Sequence, residues 1–284
     1  MKRTQLILAI ILMAGLWQKS NAQDLALPNP STKQTIIQEL GLGKVSITYS
    51  RPHVKNRKIF GGLVPFGQVW RTGANEATAI TFSENVIVEG HHIPAGTYAL
   101  FCIPEKELWT IILNRAVGQW GSYTYNQQDD LVRFTIKPEQ VTEQQESFTI
   151  QFINPTTNST AMALSWDHTH AAIHVAANDD AKIMANIDQL MSAEKITNLT
   201  YFNAIQYYYI NNKDNDQALK WISGAEKAFP KRGSYRLFES RFLLRKGDKA
   251  GARSAAEEGI RLSKEKHDEE YLRLNEEALE LAKK

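Results

Sequence analysis

The sequence predicts an all-β antiparallel sandwich, with a closed barrel as the alternative, followed by an α-helical repeat domain. Three observations carry that reading. Short β-branched and aromatic runs recur up to residue 166 with no helical pattern between them, which excludes the βαβ alternation of a parallel sheet. Charge density then roughly doubles: residues 23–176 hold 11 Lys+Arg and 13 Asp+Glu, whereas residues 177–284 hold 19 and 18. Lastly, the segments opening at Asp214 and Asp248 repeat one another at a spacing of 34 residues.

The chain opens on an export leader, residues 1–22. Lys2 and Arg3 make a short positive start, residues 6–16 are apolar, and Ser20, Asn21 and Ala22 give a small-x-small cleavage pattern before Gln23. The apolar run is shorter than the ~20 residues a spanning helix needs. No cysteine stands at the cleavage point for lipid attachment. The expected location is therefore periplasmic or secreted, with no transmembrane anchor after processing. Removing Lys2, Arg3 and Lys19 takes the formal charge from +2 to −1, so the precursor's pI of 8.5 is no nucleic-acid footprint. A hydrophobic content of 43% excludes wholesale disorder.

The first domain spans residues 23–176. Strands are expected at 45–49, 78–82, 86–88, 97–103, 109–113, 132–136, 148–152 and 161–166. Glu89-Gly90, Pro94-Ala95-Gly96 and Asn154-Pro155 supply turn signals between them. The single cysteine, Cys102, excludes an internal disulfide and a cysteine-rich zinc site, and its apolar surroundings read as a buried small hydrophobe. The second domain spans residues 177–284. At the 34-residue offset Ala225 meets Gly259, Tyr201 meets Tyr235 and Tyr208 meets Phe242. Small residues let paired helices approach closely and aromatics fill the gaps between them. Pro230 closes the first unit, and residues 268–283 read as a polar capping helix. The period resembles the tetratricopeptide repeat, which implies a surface for a protein or peptide partner; a plain helical bundle is the alternative.

Three polar stretches interrupt the strand pattern: residues 50–57 (SRPHVKNR), 69–78 (VWRTGANEAT) and 114–125 around Trp120. In a β domain such segments are loops at sheet ends, where binding residues collect. Arg57 and Arg71 are suited to clamping a carboxylate or phosphate. Trp120 is suited to stacking on a sugar or ring, and Asn75 and Asn114 to reading hydroxyls. Glu76 is the candidate acid or base should the site be catalytic. The competing reading is that Arg71 or Arg57 pairs with Glu76 and simply staples loops together.

The run from Ser50 to Thr78, with residues 94–98 (PAGTY) and Trp120-Gly121, resembles the domain of unknown function family 2911 over roughly residues 25–176. That resemblance implies an exported β domain of Bacteroidetes-type bacteria and brings no reaction or ligand with it. His168, His170 and His174 would face one side of a strand, which makes His168 and His170 weak metal candidates against a default of no metal and no cofactor. Gly41-Leu42-Gly43-Lys44 lacks phosphate-loop spacing, and neither a Gly-x-Ser-x-Gly elbow nor a His-Glu-x-x-His motif occurs. The expectation is a non-enzymatic binding or envelope-associated protein taking a glycan or small anionic ligand. A small hydrolase or isomerase acting on a glycan or cell-envelope compound through Glu76 and Arg71 stands as the alternative.

Overall fold

The structure, a computed structural model, describes residues 27–284, so the leader and its cleavage point lie outside the described residues. The chain divides into two compact units, the first ending at Ala177 and the second running Asn178–Lys284.

The first unit is two antiparallel sheets. One contains β1 (Thr32–Leu40), β2 (Gly43–Arg51), β3 (Thr78–Phe82), β6 (Gly96–Ile103), β7 (Trp109–Asn114) and β8 (Asp130–Ile136), in that spatial order. The other has the order β5 (His91–Ile93), β4 (Val86–Val88), β10 (Ser159–Ala177), β9 (Glu139–Ile153). Neither sheet closes on itself, which removes the barrel alternative. Alternate residues of both sheets meet in one core: Val45, Ile47 and Ile80 from the first, Ile150, Met162, Leu164 and Ile173 from the second. Tyr49, 2% exposed, stitches the sheets together. Its hydroxyl accepts from the Ile150 amide at 2.9 Å and shares its one proton between Gln34 Oε1 at 2.8 Å and the Ile150 carbonyl at 3.1 Å. Burial pushes this phenol above its ordinary pKa.

β1, the short strand β5 and the N-terminal half of β9 lay outside the sequence expectation, and all three are wet. β1 is a sheet edge whose residues are mostly exposed or half-buried, so its sequence, TKQTIIQEL, carries no apolar alternation. The N-terminal half of β9 is exposed throughout and lacks the signal for the same reason. Gly41 and Leu42 link β1 to β2 as a hairpin turn, with Gly41 at φ +57°.

The second unit is six helices: α1 (Asp180–Met191), α2 (Asn198–Ile210), α3 (Asn215–Ala228), α4 (Gly233–Arg245), α5 (Lys249–Lys266) and α6 (Glu269–Lys283). Helices α2 and α3 pack together, as do α4 and α5, with α6 against α5. The repeated aspartates are N-caps. Asp214 accepts from the amides of Asp216 and Gln217, and Asp248 from that of Gly251. Four residues on, Ala218 and Ala252 are both fully buried, as the close approach of paired helices requires. Asp268 caps α6, placing the final helix where the polar cap was expected.

Candidate functional site

Between β2 and β3 the chain leaves the sheet for residues 52–77. This excursion is tied down by isolated bridges, Trp70 with Cys102 and His53 with Ser147, rather than by a ladder. The Trp70 indole N–H donates to the Gly73 carbonyl at 3.1 Å. Thr72 and Asn75 sit at φ +53° and +59° on either side of Gly73. At φ +151°, Gly73 has no room for a side chain, because a Cβ there would lie 2.9 Å from the Ser50 carbonyl oxygen. The fully buried Thr72 hydroxyl donates to Cys102 Sγ at 3.1 Å. Burial pushes the Cys102 thiol up to about 12, so it plays no nucleophilic part.

The excursion walls a cavity of about 380 Å³. His53, Lys55, Arg57 and Arg71 supply its titratable lining, and no carboxylate joins them. Ser31 and Asn75 add polar wall, while Trp70 and Trp166 form the apolar floor with ring centroids 5.8 Å apart and planes 20° from parallel. Two donors at these walls have no acceptor: Arg71 Nε and Trp166 Nε1 are buried without a hydrogen-bond partner. Trp166 is 2% exposed. A buried N–H left without an acceptor costs about 1–3 kcal/mol, so such groups call for a partner from outside the chain, whether water, ion or ligand.

Other lining groups are already committed to the scaffold. Arg57 donates from Nε to the Val54 carbonyl at 3.0 Å and from a terminal nitrogen to the His53 carbonyl, which fixes its guanidinium at the rim. His53 Nδ1 is engaged with Ser147 Oγ at 2.8 Å, leaving Nε2 for other partners. Asn75 donates to the Ser31 carbonyl and to Ser50 Oγ, both at 3.2 Å, and so closes one wall. The Glu146 carboxylate accepts the Lys55 amide at 3.1 Å and does not join the lining.

Of the six residues the sequence nominated, the cavity gathers Arg57, Arg71 and Asn75. Glu76, Asn114 and Trp120 fall elsewhere. Glu76 is half exposed and accepts from Lys33 Nζ at 2.5 Å, so neither arginine staples it. Asn114 is fully buried and saturated: it donates to the Asn126 carbonyl and Asp130 Oδ1, and accepts from the Ala116 amide. It stitches the β7–β8 connection and has nothing left to read a hydroxyl. Trp120 is 61% exposed, bridging Glu76 through its backbone outside the cavity lining. His168 and His170 do lie on β10, but their rings take different partners, the Val141 carbonyl and Ser165 Oγ. Among the described residues no group of three or more His, Cys, Asp or Glu is placed to hold a metal ion.

The sequence reading missed Ser31, Trp70 and Trp166 as wall residues. Trp166 ends an apolar strand run far along the chain, where nothing local distinguishes a cavity floor from core. Trp70, His53 and Lys55 stood within nominated polar stretches but were not singled out.

No curated protein matches the chain. A Bordetella parapertussis protein of known solution structure is similar over 36% of this chain and 88% of its own, at 22% identity and a TM-score of 0.32, a likeness too slight to bear on the site. Residues 31–175 match the family described as "protein of unknown function (DUF2911)", a span that holds every cavity-lining residue except Pro30, and the chain belongs to that family.

Proposed function

We propose that this protein is an exported binding module that captures a small anionic ligand, a sugar acid or sugar phosphate, in the β-unit cavity. One observation carries the reading: two buried, unpartnered donors, Arg71 Nε and Trp166 Nε1, stand at the walls of a cavity lined by cationic and imidazole groups without a carboxylate. An anion supplies the missing acceptors and the compensating charge together. The paired tryptophans give a sugar ring an apolar floor. Against the hydrolase alternative stands the placement of Glu76, which is ion-paired with Lys33 and lies outside the lining.

Titrating the processed protein with glucuronate, glucose 6-phosphate and neutral glucose, read by tryptophan fluorescence, tests this. The anionic sugars saturate and glucose does not; equal response to all three contradicts the proposal. Export after Ala22 belongs to the same reading, supported by the leader pattern. Intact mass of protein recovered outside the cytoplasm should begin at Gln23, and a mass retaining residues 1–22 removes that part. In the helical unit, tandem helix pairs with N-caps 34 residues apart support a tetratricopeptide-like surface for a protein or peptide partner.

A further inference from the structure

A second cavity lies wholly within the helical unit. It measures about 330 Å³ and is walled by the turn before α4, the first residues of α4, the last turn of α5 and the start of α6. Helix α4 opens at Gly233, and Arg232 at its N-cap position makes no side-chain capping bond. The first amides of a helix have no intrahelical acceptor and carry the positive end of its dipole. This alone would be a feature of many helices.

Ser263 adds an independent observation. This residue lines the same cavity and is 1% exposed, and its Oγ has no hydrogen-bond partner. It lies against the first residue of α4: a Cβ on Gly233 would come within 2.2 Å of Ser263 Oγ. Glycine thus leaves open the space that brings a buried, unsatisfied hydroxyl beside unsatisfied helix amides. Lys231, Arg232 and Lys266 complete the wall. Lys231 is paired with Glu265 at 2.8 Å, whereas Arg232 and Lys266 form no ion pair among the described residues. The one carboxylate in the lining, Asp268, is turned to its own helix, accepting the Tyr271 amide at 3.2 Å.

We propose that this cavity binds a tetrahedral phosphate-type oxyanion, free or as a phosphate monoester. Donors converge from three sides: the α4 amides, the Ser263 hydroxyl, and the Arg232 and Lys266 side chains. A planar carboxylate engages two of those sides at once, whereas a phosphate has an oxygen for each. The site is separate from the β-unit cavity and stands or falls without it.

Residue-resolved amide signals of the full chain, followed during titration first with inorganic phosphate and then with phosphoserine, test the proposal. Saturable shifts are expected at Gly233 and Ser234. A stronger response to phosphoserine identifies a monoester ligand, and an equal one identifies free phosphate. Ser263→Ala should weaken binding about tenfold, the loss of one hydrogen bond to a charged group. Without phosphate the same variant should melt at or above the wild-type temperature, because the hydroxyl it removes has no partner. Absence of saturable shifts at about 10 mM of either probe overturns the site, as this corresponds to an affinity below about 3 kcal/mol. Unchanged binding by Ser263→Ala overturns it too, and a lower melting temperature with unchanged binding makes the serine structural.

Discussion

Arg71 and Glu76, five residues apart, show how a single side chain's partner decides between two readings. The sequence puts both in one polar stretch and invites a staple, yet Lys33 of β1 takes the glutamate. That strand carries no apolar alternation, so neither it nor its lysine was legible beforehand. The Lys33–Glu76 pair is about half exposed on both sides and contributes under ~1 kcal/mol. A double-mutant cycle on Arg71→Ala and Glu76→Ala should therefore give a coupling below about 0.5 kcal/mol in thermal or chemical denaturation. Coupling well above that value would restore the staple. Tyr49 makes a contrasting case, because its hydroxyl serves both backbone groups of Ile150 in the core. Tyr49→Phe leaves those groups unsatisfied and should cost about 1–3 kcal/mol by denaturant melts. A neutral result would mean that the sheets do not depend on that link.

At the scale of elements, legibility followed burial. The strands at Thr78–Phe82 and Val86–Val88 were read to the residue because buried positions alternate along them. The exposed half of β9 and the edge strand β1 were not, since solvent-facing positions leave composition unconstrained. Among the helices, the 34-residue spacing was legible through aspartate caps and buried alanines, features that each repeat must reproduce. Side-chain electrostatics between helices was not. Glu226 of α3 shows this. Burial, reinforced by Glu239 and opposed by Arg236, pushes its carboxyl up to about 7. Its Oε1 stands 3.0 Å from Arg236 Nε without hydrogen-bond alignment. The folded state therefore holds this proton more tightly than the unfolded chain. Stability from this group is full below the unfolded value of 4.5 and is lost as pH rises through about 7. Glu226→Gln should accordingly stabilise the helical unit by about 2 kcal/mol more at pH 8 than at pH 5 in chemical denaturation. The same gain at both pH values would contradict the shift.

Across the whole molecule, the cationic cavity does not follow from net charge. Residues 23–176 carry more Asp+Glu than Lys+Arg, 13 against 11, and still place His53, Lys55, Arg57 and Arg71 around one space without a lining carboxylate. The sequence nominated three of its lining residues, Arg57, Arg71 and Asn75, because they sit in the polar runs that interrupt strands. Two of the others were hidden by distance along the chain. Ser31 precedes β1, and Trp166 belongs to a strand of the other sheet. Only the closing of the two sheets brings that indole to the wall beside Arg71. The central claim is that Arg71 is held for a ligand rather than for the fold. Calorimetric titration of glucuronate into wild type and Arg71→Gln at matched ionic strength, with melting curves of both ligand-free proteins, tests it most directly. The account predicts binding weakened at least about thirtyfold, the loss of one desolvated charged contact, with an unchanged melting temperature. Equal affinity in the two proteins, or a variant that loses its fold, would contradict it.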